Sequence, residues 1–121
     1  MKPLGNYPPL RRRGAWLFVS GMSARQADGS VGGDAAEQTR VVIEKIRAAL
    51  AAEGATLADC VSLSCYLTDM RDFEAYNRVY GEYFADIATG PARTTVAVHQ
   101  LPHPRMLVEI TATACLPEGA P

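Results

Sequence analysis

Strict alternation of apolar and other residues runs through Met106–Leu116. Met106, Val108, Ile110, Ala112 and Ala114 fall on one side, and Leu107, Glu109, Thr111, Thr113 and Cys115 on the other. A period of two marks a strand with two distinct faces. Cys60–Leu67 repeats it, with Val61, Leu63, Cys65 and Leu67 against Cys60, Ser62, Ser64 and Tyr66. Ala15–Gly21 is apolar at nearly every position, which predicts a strand covered on both sides. Thr94–Val98 is a short β-branched run, with Arg93 just before it. Arg11-Arg12-Arg13, ahead of a turn at Gly14, reads as a solvated edge strand or hairpin arm.

Two longer stretches change period. Asp34-Ala35-Ala36-Glu37 has capping-box character and opens a helix expected to reach about Glu53, with Val42, Ile46, Ala49 and Leu50 as its apolar stripe. Gly54 suits the left-handed position just past that end. Asp69 can cap a second helix over about Arg71–Ala85, in which Phe73, Tyr76, Tyr80 and Phe84 form a core stripe. Asn77 lies on the same turn, which predicts a buried side chain with a hydrogen-bond duty.

The element order β, β, α, β, α, β, β predicts an α+β sandwich of two layers in one domain spanning residues 1–121, with two helices on one face of a sheet. Two helices cover one face only, yet several strands are apolar or small on both sides. Subunits are therefore expected to pack sheet against sheet, with sites at the seams between them.

Charge and cysteines narrow the function classes. Twelve Lys and Arg stand against 13 Asp and Glu, a formal net charge of −1, so no global basic field exists for nucleic acid or an anionic membrane. Cys60, Cys65 and Cys115 are odd in number and lack metal-ligand spacing, which suits a reducing, cytoplasmic compartment. The apolar run Ala15–Val19 is too short for a signal core or a membrane span.

Candidate chemistry gathers in Ala92–Glu109. Glu109 interrupts an apolar strand, and a carboxylate there must be solvated, paired or used. Arg93 on the preceding strand could pair with it as a structural salt bridge, the reading that spacing alone favours. It could equally offer its planar fork to a substrate carboxylate. Between them lie both histidines, His99 and His103, on a loop with two prolines. Two histidines without a third ligand do not make a zinc site.

The chain resembles the Rid/YjgF family of reactive-intermediate deaminases nearly end to end. The matching pieces are Gly5-Asn6-Tyr7, Val19-Ser20-Gly21, Gln38-Thr39-Arg40, and Asp72-Phe73 through Tyr76-Asn77 to Tyr83-Phe84. Next come Gly90-Pro91-Ala92-Arg93-Thr94-Thr95-Val96, Leu101-Pro102 and Val108-Glu109-Ile110. The resemblance implies a chorismate-mutase-like fold and a homotrimer with sites between subunits. It also implies hydrolysis of imines and their enamine tautomers without cofactor or metal. By resemblance Arg93 grips the substrate carboxylate and Glu109 activates water. Tyr7, Ser20, Gly21, Asn77 and Thr95 border the pocket, Thr95 standing where the family often has Cys. The loop before Glu109 is one residue longer than in common members. With Lys2–Tyr7, His99-Gln100-Leu101-Pro102-His103-Pro104 resembles the 2-aminomuconate deaminases, whose substrate has a carboxylate at each end. His99, His103 or Arg105 could meet the far carboxylate. Broad 2-aminoacrylate deamination, and a non-enzymatic ligand-binding or RNA-related role, are the alternatives.

Overall fold

The computed structural model describes residues 4–117. Its strands are β1 (Leu10–Arg13), β2 (Trp16–Met22), β3 (Cys60–Leu67), β4 (Ala92–Ala97) and β5 (Val108–Cys115), with helices α1 (Ala35–Ala51) and α2 (Phe73–Phe84). The strands form one sheet in the order β1-β2-β5-β3-β4. All neighbours are antiparallel except β3 and β4, the pair that α2 connects. A parallel pair needs such a crossover, because a tight turn can only reverse the chain.

Local chemistry sets the ends of these elements. Gly14, at φ 62°, turns β1 into β2, and Gly54, at φ 76°, follows α1. The Asp34 carboxylate accepts from the Glu37 amide at 2.9 Å, closing the first turn of α1. Asp69 caps a 3-10 turn, Met70–Asp72, and α2 proper begins only at Phe73.

The core lies between helices and sheet. Leu17, Val19, Leu63, Cys65, Leu67, Val108 and Ile110 meet Val42, Ile43, Ile46, Leu50 and Tyr76 there. Burying each large aliphatic side chain contributes roughly 1.5–3 kcal/mol. The alternation expected for β5 holds residue by residue. On β3 it breaks once. The β3–β5 register slips between Cys60 and Ser62, so Val61 turns outward with Ser62 instead of joining Leu63 in the core.

The other sheet face is open in the single chain. Trp16 and Phe18 are 45% and 47% exposed, and Val61 on β3 and Val96 on β4 are exposed as well. The expectation that both sides of β2 are covered is therefore met within the chain on one side only. The apolar run reflects a face that none of the described elements packs against.

Candidate active site

Glu109 stands on the open face. Its register partner on β3 is Tyr66, while the next residue, Ile110, pairs with buried Cys65. On its other side β2 carries a bulge. The register jumps between Val19 and Met22, setting both Ser20 and Gly21 opposite β5. A Cβ at Gly21 would come within 2.7 Å of Glu109 Oε2 and 3.0 Å of its Cδ, so only glycine lets the carboxyl lie against the backbone here. The Ser20 amide donates to the Pro9 carbonyl at 2.9 Å and its hydroxyl to the Pro8 carbonyl at 2.7 Å. These bonds bring the N-terminal arm, with Tyr7, alongside the bulge. Tyr7, Ser20 and Gly21 line a cavity of about 340 Å³ completed by Met22, Lys45 and Ala48. Gly21 thus touches both this cavity and the Glu109 carboxyl.

Burial pushes the Glu109 carboxyl above the ordinary glutamate range. A raised carboxyl favours the fold while protonated. Its contribution is complete below the unfolded pKa and is lost as pH rises through the folded one. Glu109→Gln is therefore expected to melt higher than wild type at neutral pH, with the gap closing on acidification below the ordinary glutamate range. Thermal unfolding of both proteins across pH measures this, and a gap that widens toward acid would refute it.

Arg93 occupies the opposite face. Its register partner is Leu63, a core residue, so its side chain rises on the helix side of the edge strand β4. Nη1 donates to Asn77 Oδ1 on α2 at 2.8 Å. The guanidinium carbon lies 4.4 Å from the ring centre of Tyr80, 5.5 Å from Tyr76 and 5.9 Å from Phe73. Thr95, one pleat further on, shares a 2.7 Å hydrogen bond with the Tyr76 hydroxyl. Burial holds the Tyr76 and Tyr80 phenols above their ordinary range, keeping both rings neutral. Among the described residues the ion pairs are Arg40–Glu82, Arg47–Glu44 and Arg71–Asp69, and Arg93 takes part in none of them.

These positions correct several expectations. Arg93 and Glu109 are not neighbours in the sheet. β3 lies between their strands and their side chains leave opposite faces, so the strand-pair salt bridge does not form. Asn77 is exposed rather than buried, because its duty is to the solvent-facing Arg93. Phe73, Tyr76 and Tyr80 are more than a core stripe, since the same rings carry the guanidinium. The Thr95 hydroxyl is turned toward Tyr76, inside the sandwich. His99 is exposed, and His103 accepts the Arg105 amide on Nδ1 at 3.0 Å, which leaves Nε2 as its proton-bearing atom. Among the described residues no three His, Cys, Asp or Glu side chains cluster as a metal ion would need.

One residue was matched in the sequence without a role. Gln38 is 1% exposed, and its amide donates to the Gly33 and Arg105 carbonyls at 3.0 and 2.9 Å while accepting the Leu107 amide at 2.9 Å. It ties the histidine loop to α1 two residues before Glu109.

Comparison with known proteins shows the family and the fold. The family profile described as Endoribonuclease L-PSP matches residues 1–116. A RutC family protein of Pyrococcus horikoshii is 41% identical over 115 residues, covering 93% of this chain and 89% of its own length. The 3-aminoacrylate deaminase RutC of Acinetobacter baylyi is 38% identical over 114 residues, covering 93% and 88%. Among solved structures, E. coli TdcF with bound serine superposes with a TM-score of 0.86 at 30% identity, covering 93% of this chain and 90% of that one.

Proposed function

Since the chain belongs to the Endoribonuclease L-PSP family, the YjgF/Rid family, we propose that it is a deaminase for enamines and imines of small carboxylic acids. The observation that carries this reading is Arg93, a cation held among the described residues by neutral partners and so ready for a carboxylate. One relative is named a 3-aminoacrylate deaminase and another is seen with bound serine, and both of those molecules carry a carboxylate.

The chemistry asks little of the protein. The enamine tautomerises to an imine whose carbon is already electrophilic. Glu109, as carboxylate, takes a proton from water as its oxygen bonds to that carbon. That proton is delivered to nitrogen, giving the carbinolamine; Glu109 then takes the hydroxyl proton as the carbonyl closes and passes it to the same nitrogen, the C–N bond breaks and ammonia leaves. Imine and water become oxo acid and ammonia. Holding the carboxylate on Arg93 fixes the carbon against Glu109, which converts an encounter into a positioned reaction.

Because Arg93 and Glu109 leave opposite faces of one sheet, the site needs both groups from different copies of the chain. The homotrimer of the family resemblance meets that need, with the open face around Trp16 and Phe18 covered by association. Within the class we favour 2-aminomuconate as substrate, one carboxylate on Arg93 and the other reached by the His99–Arg105 loop, where His103 offers an Nε2 proton. The aminoacrylate deaminase among its relatives favours a second reading, a shorter monocarboxylate. Three free cysteines suit a reducing cytoplasm in either case.

The test is loss of freshly generated 2-aminomuconate, with ammonia release read in parallel, for wild type and Arg93→Ala. Turnover is expected with wild type, and Arg93→Ala should lower kcat/KM by about a hundredfold or more, the scale of a stripped charge pair. Background rates on 2-aminomuconate with turnover of 2- or 3-aminoacrylate would select the shorter substrate. Background rates on all three would end the deaminase reading.

A further inference from the structure

An exposed arginine normally samples many rotamers and gives up that freedom when it grips a ligand. Arg93 does not have that freedom. Three rings of α2 lie under it at helical spacing, and the nearest by more than an ångström is Tyr80, at 4.4 Å. Tyr80 is itself supported. It stacks on Phe84 with ring centres 4.5 Å apart and planes 21° apart, and Phe84 is buried. Tyr76 adjoins Tyr80 at 6.2 Å and is pinned to β4 through the Thr95 hydroxyl. Asn77 fixes the guanidinium from the side. The result is a floor, a side clamp and a buttress behind the floor, all belonging to one helix.

We propose that Tyr80 is a positioning residue for Arg93, its ring face fixing the plane of the guanidinium so that a carboxylate meets a fork already set. This rests on Arg93 being the carboxylate anchor. The aromatic face suits the role better than a carboxylate would. A carboxylate would also hold the guanidinium, but it would occupy the donors and cancel the charge that the substrate needs. A π face attracts the cation from below and leaves its edge available. The Tyr80 hydroxyl has no part in this, so a plain phenyl ring should serve as well.

The experiment keeps shape constant while changing the ring's electrostatics. Tyr80→Phe is the baseline, and mono-, di- and trifluorinated phenylalanines at position 80 progressively withdraw charge from the ring face without altering the core. Binding of pyruvate, as a simple 2-oxo acid probe, is titrated for each protein in its native assembly, with Arg93→Ala alongside. Tyr80→Phe should bind within about twofold of wild type, and the dissociation constant should climb stepwise with fluorination to about tenfold, the range of a partly desolvated cation–π contact. In turnover the same series should raise KM and leave kcat level. The Arg93 Nε–Hε resonance, assigned by its loss in Arg93→Ala, should lie upfield in the ligand-free baseline protein and relax toward the position of exposed arginines along the series. A flat series, with pyruvate binding lost in Arg93→Ala, would overturn the role of Tyr80 and leave the anchor standing. Unchanged pyruvate binding in Arg93→Ala would remove the anchor and the proposal with it.

Discussion

Mixing Arg93→Ala with Glu109→Gln is expected to restore activity that neither variant has alone. On the proposed reading, Arg93→Ala lacks the anchor. Glu109→Gln keeps shape and volume but lacks the base, a loss on the order of 10²–10⁴ in turnover. Within one chain the two side chains leave opposite faces of the sheet, with β3 between their strands. On the proposed reading, a working site therefore takes Arg93 from one copy and Glu109 from another. In a ring of three refolded from an equal mixture, about a quarter of the sites would combine the intact arginine of one variant with the intact glutamate of the other. Recovery near that fraction, with mixed assemblies verified by mass, is the predicted result. Mixed assemblies that stay at the level of the parents would show that the two residues do not share a site.

The largest expected loss of stability is at Gln38. Gln38→Met keeps most of the volume and removes every hydrogen bond. The Leu107 amide and the Arg105 and Gly33 carbonyls would lose their side-chain partner in a place where Gln38 is 1% exposed. Each buried polar group left unmatched costs roughly 1–3 kcal/mol. A total of about 3 kcal/mol is a large share of the 5–15 kcal/mol typical of a domain. Urea unfolding at pH 7 should show the midpoint falling with an unchanged slope. Gln38→Glu should not rescue it, because a carboxylate can accept from Leu107 but can only repel the two carbonyls. A midpoint within error of wild type would mean that the loop is held by the small cluster of Ala24, Val31 and Met106 alone.

Much of the fold was legible because periodicity reports burial directly. β3 and both helices lie within a few residues of the positions that their apolar patterns predict, and Asp34, Gly14 and Gly54 mark ends as their chemistry requires. What periodicity cannot report is order across the sheet. Arg93 and Glu109 belong to consecutive strands, and consecutive strands usually pair, so a salt bridge was the natural expectation. Insertion of β3 between them is a long-range event with no local mark. The two register slips are equally silent, since Val61 reads as a core residue until one extra residue turns it outward. Asn77 shows the limit for polar side chains. It sits on the helix turn that its spacing predicts, but its partner is 16 residues away on β4. The aromatic stripe of α2 looked like packing alone because a cation above it leaves no trace in spacing.

The strand order also separates what may adhere from what must not. The open face, with Trp16 and Phe18 about half exposed, is where the proposed association would lay another copy flat. The rim of the sheet is a different hazard, since an unpaired edge recruits strands side by side and without limit. β1 forms one rim and consists of four residues, three of them arginine. So short and so positively charged an edge repels its own kind, and a chain built this way can close a small assembly without starting a fibre.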